Sequence, residues 1–310
     1  MSVVPSSNGR EANAFGFLAD AALILEKTRV AGQVRMAHLE RNGRTDEITS
    51  EYLRRALELE AWADGLCLEM LQKHPTWPWI SRIKGAKGEP MVKVLGQIDS
   101  FDKLYPVGDP WIPAEVKREP EIVLVDDVET PMVWVAGIER LTMPSKLRKI
   151  AGLYPGAKRE KGKKLPYIDT LRTMMWRLGL NFMRTQNKFG HFYTDYRGRL
   201  ERRLTTVDNL KIIPTPKGRF CAFCEEEKIV PKDTMFCPIC SEKLSRKDEP
   251  EGFIFLGHVD MMCRRRMMQL FGDLLWVVYR TNMGLSLRQP YPIEYLGHQT
   301  IITPEMMVDD

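Results

Sequence analysis

The stretch PSKLRKIAGLYPGAKREKGKKLPYIDTLRTMMWRLGLNFMRTQN, Pro144 to Asn187, decides how the chain is read. Lys146 to Leu153 forms a short helix-like segment that ends in Gly152-Leu153-Tyr154-Pro155-Gly156. A basic loop follows, with Lys158, Arg159, Lys161, Lys163 and Lys164 broken by Gly156 and Gly162. After Pro166 the residues Ile168, Leu171, Met175, Leu178 and Phe182 recur at helical spacing. Between Lys146 and Lys164 lie eight basic residues and one acid, Glu160, a local charge of about +7 in a chain whose total is +5. The basicity is therefore concentrated, and a concentrated field attracts a polyanion. A run of this kind is otherwise a solvated loop. Glycines that let the backbone approach a ligand, just ahead of a helix N-terminus, weigh toward phosphate binding. The expectation is a nucleic-acid contact loop.

Working outward, 310 residues suggest two domains, or one with an insertion. An apolar content of 44% is ample for a core. No apolar run approaches the roughly 18 residues of a membrane span, and the best, Met267 to Tyr279, is interrupted by Gly272 and Asp273. The opening MSVVPSSNGR lacks the layout of a signal peptide, so residues 1–14 are expected to be a disordered leader to a cytoplasmic protein. Cys67 and Cys263 stand alone in helical contexts and read as small buried apolar residues.

Residues 15–76 read as a long, coiled-coil-like helical hairpin. Its first arm carries Phe15, Leu18, Ala22, Leu25, Val30, Val34, Met36 and Leu39, and Asn42-Gly43 ends it. Thr45 or Asp46 caps the second arm, which runs through Tyr52, Ala56, Leu59, Trp62, Leu66, Met70 and Leu71. An apolar stripe of this length needs cover, and a second copy is the simplest cover, so a homodimer is expected, the alternative being a hairpin folded back on its own domain. Trp77 and Trp79 are base-stacking candidates or packing anchors. The Ile83-Lys84-Gly85 turn before the helix of Val94, Leu95 and Ile98 can set amides against a phosphate backbone. Residues 105–137 read as an insertion in which Ile122–Val125 and Met132–Val135 form a hairpin. Its acids Asp126, Asp127 and Glu129 fit either a turn or a metal-dependent nuclease. Lys188 to Leu204 continues helically, with aromatic residues and arginines that suit either nucleic-acid contact or an ordinary charged face. Arg264, Arg265 and Arg266 open the last long helix, a solvated face or an addition to the basic surface.

Cys221-Ala-Phe-Cys224 and Cys237-Pro-Ile-Cys240 supply four thiolates at the spacing of two knuckles around one tetrahedral Zn²⁺. Four cysteines close the shell, so the ion is structural. A nuclease site stapled by such knuckles needs a histidine between the pairs, and Glu225 to Phe236 contains none.

Several blocks, in order, resemble Nop-type domains. Trp79-x2-Arg82-Ile83-Lys84-Gly85, then Val92-x-Val94-Leu95-Gly96-Gln97-Ile98-Asp99, is similar to their glycine turn and helix. Ser145-Lys146-Leu147-x2-Ile150-Ala151-Gly152-Leu153 resembles the block that follows. Lys161-Gly162-Lys163-Lys164-Leu165, Leu171-Arg172-Thr173-x2-Trp176-Arg177-Leu178-Gly179-x2-Phe182 and Tyr193-x2-Tyr196 continue it. Gly257-His258 with Arg264-Arg265-Arg266, and Pro290-Tyr291-x3-Tyr295-Leu296-Gly297-His298, resemble the closing part. The pattern is shared by insertion-sequence transposases directed by a bridge RNA and by the Tas (TIGR-associated) proteins. The transposases carry a serine nucleophile after the Gly-Leu-x-Pro step, whereas here Gly156-Ala157-Lys158-Arg159-Glu160 follows with no serine before Pro166. They also need an RNase H-like domain ahead of the hairpin, for which the leader is too short.

The resemblance thus implies a mainly α protein with a helical Nop-like domain over 77–205, completed by a C-terminal helix and strap over 251–310; the insertion and the zinc ribbon over 206–250 stand outside it. It implies an RNA-guided protein that holds guide RNA and target DNA as a homodimer, with no RuvC, HNH or serine nucleophile of its own. The RNA-contact set is Arg82, Lys84, Lys146, Arg148, Lys149, Lys158, Arg159, Lys161, Lys163, Lys164, Arg172, Arg177, Arg264 and Arg265. The alternatives are a degenerate transposase or metal-dependent nuclease, and a zinc-ribbon scaffold without a guide.

Overall fold

Asn42-Gly43 stops the first long helix as expected. In the computed structural model, which describes residues 14–160, 162–216, 218–228, 234–245, 248–288 and 301–309, helix α1 (Ala14–Arg41) ends there. The Gly43 N–H donates to the Glu40 carbonyl at 3.0 Å. Helix α2 (Glu47–Lys73) starts from Asp46, whose carboxylate accepts from the Ile48 N–H at 3.1 Å. Residues 1–13 of the expected leader, Lys161, and the tail residues Pro290, Pro292, Gly297 and His298 lie outside the described residues, while Ala14 already belongs to α1.

The face that α2 buries differs from the expected one. Thr49, Ala56, Glu60, Ala63, Cys67 and Leu71 are buried, while Tyr52, Leu59 and Trp62 face outward, Trp62 at 61% exposure. Along α1, Ala19, Ala22 and Leu23 are buried and Val30 and Val34 are exposed. Small side chains let two helices approach closely, whereas tyrosine and tryptophan in the seam hold them apart.

Helix α3 (Trp77–Ile80) is one turn, and α4 (Glu89–Asp99) is buried from Met91 to Ile98, Lys93 and Gln97 included. Helix α4 crosses α1 where a Cβ on Gly96 would lie 2.3 Å from the Ala19 Cβ. Gly96→Ala therefore forces the helices apart, and we expect a loss of about 1–3 kcal/mol in chemical denaturation. Gly65, exposed in α2 with nothing within 4 Å of its own hypothetical Cβ, is the control. There the same change raises stability by roughly 0.5–1 kcal/mol through helix propensity. Effects of the same sign at both positions would contradict the close crossing.

The insertion is a sheet of three antiparallel strands in the order β1-β3-β2, formed by β1 (Lys103–Pro106), β2 (Glu121–Val125) and β3 (Val128–Val135). Strands β2 and β3 join through Asp126-Asp127 at φ 50° and 62°, the conformation of a two-residue hairpin turn. The sequence pattern marks β2 and the second half of β3 but not β1.

Helices α5 (Gly137–Arg140), α6 (Pro144–Ile150) and α7 (Asp169–Thr185) follow. Leu171, Met175, Leu178 and Phe182 of α7 are buried, as their spacing predicts. Phe182 packs with Phe189 and Phe271 at centroid distances of 5.1 Å each, and Trp79 stacks on Phe271 at 5.7 Å. Trp79 is thus a packing anchor, and its indole N–H donates to the Pro304 carbonyl at 3.0 Å, holding the 3-10 turn Pro304–Met307.

By internal packing the chain divides into two units, Met1–Gly190 with Met268–Asp310, and His191–Met267. Helix α8 (Lys188–Thr206) and helix α9 (Leu256–Asn282) each have residues in both. The second unit also holds β4 (Lys211–Ile213), paired in parallel with β7 (Phe253–Phe255), and β5 (Arg219–Cys221), antiparallel to β6 (Glu226–Lys228). It is larger than the expected 206–250 ribbon because helical residues join it: Tyr193 hydrogen-bonds Asp260, and the Gly257 N–H donates to Thr215 Oγ1 at 2.7 Å.

Candidate metal centre and cationic surface

The four knuckle cysteines converge. The Sγ atoms of Cys221, Cys224, Cys237 and Cys240 all lie within 4.8 Å of one another. Cys221 to Cys240 and Cys224 to Cys240 are 3.4 Å apart, and Cys224 to Cys237 is 3.9 Å. A disulfide would bring a pair to about 2.05 Å, and all four thiols are free. A tetrahedral ion with ligand bonds of about 2.3 Å implies sulfur–sulfur edges of about 3.8 Å, so the donor set fits a structural metal. Strands β5 and β6 bring in the first pair, and the bridge from Phe236 to Lys243 closes the second. Each knuckle then turns at a residue with positive φ, Glu225 at 56° and Ser241 at 61°. Backbone N–H groups of Cys240 and Ile239 lower the Cys237 thiol to about 6, while hydrogen bonding with the Cys240 sulfur pushes Cys224 up to about 12. Among the described residues this is the only cluster of three or more side chains of metal-ligand type. Asp126 and Asp127 instead sit exposed at the tip of the β2–β3 turn.

The expected RNA-contact residues separate into two kinds. Several are already engaged by acids, rings or carbonyls of the protein. Arg148 makes a two-point hydrogen bond to Asp273, its Nε at 2.6 Å. Arg177 reaches Glu26 at 2.8 Å, and Arg82 reaches Glu305 at 2.6 Å. Arg264 pairs with Asp260 at 2.8 Å, and Lys163 with Glu160 at 2.6 Å. Arg172 lies over the Tyr167 ring at 4.7 Å and donates to the Ala157 carbonyl at 3.3 Å, so it props the start of the basic loop. Lys146 is half-buried, which lowers its ammonium from the usual range, and it donates to the Arg140 carbonyl at 3.4 Å. Arg265 is half-buried and engaged. Lys84, Lys149, Lys158, Arg159 and Lys164 are the other kind: exposed, with no acidic partner among the described residues. Lys161 lies outside the described residues.

Lys93, on the buried length of α4, has no strong signature in the sequence. Its side chain is 1% exposed, with Glu26 at 3.1 Å and Glu89 also in contact. Gln97 donates to Asp20 and accepts from Thr170 Oγ1 at 2.7 Å. The one local signal is Glu89 four residues before Lys93.

Fold and site together define a mainly helical protein with a four-cysteine centre compatible with a structural metal. No helix among the described residues is long and apolar enough to cross a membrane. No family model, curated protein or solved structure matches the chain.

Proposed function

We propose that the chain is the protein core of an RNA-guided, DNA-targeting ribonucleoprotein of the Tas kind, built on a Nop-like domain and binding without a nuclease of its own. Guide RNA lies on the basic loop, and base pairing supplies target specificity, so the protein need read only shape and backbone. The observation that carries this reading is the contrast within the basic stretch. Arg148 is held by Asp273 and Lys163 pairs with its exposed loop neighbour Glu160, whereas Lys158, Arg159 and Lys164 stand exposed with no acidic partner among the described residues. Unpaired cations on a propped loop are available to phosphates. The metal is Zn²⁺, held by Cys221, Cys224, Cys237 and Cys240 to staple the ribbon. The exposed Ile48, Tyr52, Leu59 and Trp62 on α2 favour a homodimer through the hairpin.

Replacing Lys158, Arg159 and Lys164 with glutamine should weaken RNA binding and lower the slope of log K against log salt by about 2 to 2.7, at 0.7–0.9 per lost phosphate contact. Filter binding across a salt series reads this directly. A slope equal to wild type removes the loop from the interface. Sequencing the nucleic acid that accompanies the purified protein tests the guide itself, and a preparation free of RNA that also ignores added RNA at low salt refutes the proposal.

A further inference from the structure

We infer that a cleft at the C-terminal end of α7 is a second phosphodiester-binding site, with Lys84, Lys87 and Arg184 as its cations. This rests on the nucleic-acid reading above, and it adds Lys87 and Arg184 to the surface. The cleft measures about 790 Å³ and is walled by the 81–88 turn on one side and by Asn181, Arg184 and Thr185 on the other. Its lining holds four basic residues, Arg82, Lys84, Lys87 and Arg184, and one acid, Asp309.

That acid forms no ion pair with Lys84, Lys87 or Arg184, so the lining keeps a net positive charge. One Asp309 carboxylate oxygen accepts from the Lys84 backbone N–H at 2.9 Å and the other from the Lys188 N–H at 2.8 Å. Arg82 pairs with Glu305. Lys84, Lys87 and Arg184 are exposed and have no acidic partner among the described residues.

The cleft is rigidly framed. The Lys84 carbonyl accepts from Asn187 Nδ2 at 2.6 Å and from Thr185 Oγ1 at 3.2 Å. Gly85 takes φ +82° with its Cα face against Thr185, where a Cβ would come within 3.0 Å of Oγ1. The turn is therefore fastened to α7 before any ligand arrives, which keeps the ordering cost of binding low.

Helix stability explains only part of this charge. Arg184 in the last turn of α7 complements the negative end of that helix. Lys87 sits two residues before α4, at the positive end, where a cation is unfavourable. An anion in the cleft accounts for both. Backbone phosphate is the fitting class, since the lining offers point charges rather than an apolar slot for a small molecule. Helix α7 has 17 residues, so the cleft lies about 24 Å from the helix start, next to the basic loop, at roughly 1.5 Å per residue. A duplex reaching both ends covers about seven base-pair steps at 3.4 Å each. A single nucleotide cannot do this.

The test is the full-length Lys84→Gln/Lys87→Gln/Arg184→Gln protein, compared with wild type and with the loop variant in binding a labelled mixed-sequence RNA across a salt series. We expect an unchanged melting temperature and a salt slope lowered by about 2. Lys87→Gln alone, should the triple variant melt early, is expected to lower the slope by about 0.7. An unchanged slope for the cleft variant beside a lowered slope for the loop variant overturns this inference and leaves the proposed function standing. Failure of the wild-type protein to bind RNA overturns both. Excess inorganic phosphate at matched ionic strength should leave RNA binding intact. If phosphate instead displaces RNA from wild type but not from the cleft variant, the cleft is a free-phosphate site and the phosphodiester assignment falls.

Discussion

Serine at Cys221 and Cys240 should abolish zinc binding and unfold the ribbon while leaving most of the far-ultraviolet helical signal in place. The reason lies in what the ribbon has for a core. Among the described residues its buried cluster is Cys221, Cys237 and Leu244, with Cys224 and Cys240 packed against it, so the candidate ligands make up nearly all of that cluster. Phe223, Met235, Phe236 and Ile239 are more than half exposed and contribute little. With so little apolar burial, the segment would depend on the proposed zinc, and binding free energies in comparable small sites are about 10 kcal/mol or more. Hydroxyls are poor zinc ligands, and two replacements leave half a shell. Elemental analysis should report close to one zinc per wild-type chain and close to none in the variant. Limited proteolysis should cut the variant between residues 222 and 245. A variant that keeps its metal and resists the protease refutes the assignment.

Lys93→Met should lower the stability of the first unit by about 3 kcal/mol, toward the low end of the cost of breaking a buried ion pair. Methionine fills similar space but leaves Glu26 and Glu89 without the cation between them. Arg177 remains, at 2.8 Å from Glu26 and 3.7 Å from Glu89, and limits the damage. Burial alone would raise the Glu26 carboxyl, yet hydrogen bonds from Arg177 and Lys93 outweigh it and hold it at about 2, against an ordinary 4.5. A carboxyl depressed on folding stabilises the folded state above its unfolded pKa. That contribution fades as acid takes the pH from about 4.5 down through about 2. Urea midpoints measured over this interval should fall in wild type, and fall less in Lys93→Met. The double change Glu26→Gln/Lys93→Met should cost less than the two single changes added together. A Lys93→Met protein as stable as wild type would mean that the lysine does not bear on the carboxylates.

Elements set by neighbours along the chain are legible in the residues themselves. The Asn42-Gly43 stop, the period of α7, the Asp126-Asp127 turn and the two cysteine pairs each need only a few adjacent residues. The seam of the hairpin is legible only in part: Ala56 and Leu71 lie on the expected stripe, but pattern alone also turns Tyr52, Leu59 and Trp62 inward while close packing selects Ala63 and Cys67. The burial of Lys93 and Gln97 is not legible either, because their partners Glu26 and Asp20 lie 67 and 77 residues away. The parallel pairing of Lys211–Ile213 with Phe253–Phe255 is three residues long and distant in sequence, so no local pattern announces it. In the basic stretch, Arg148 and Lys158 look alike as letters. Only the position of Asp273 separates an occupied cation from an available one.

The strand order of the insertion gives its acids a reason that involves no chemistry. Strand β2 is one of the sheet's two edge strands, and its Ile122 and Leu124 are 65% and 70% exposed. Its outer backbone groups form a ready template onto which a strand from another molecule can add. Glu121, Asp126, Asp127 and Glu129 gather negative charge around that rim, where like-charge repulsion discourages stacking of one copy on the next.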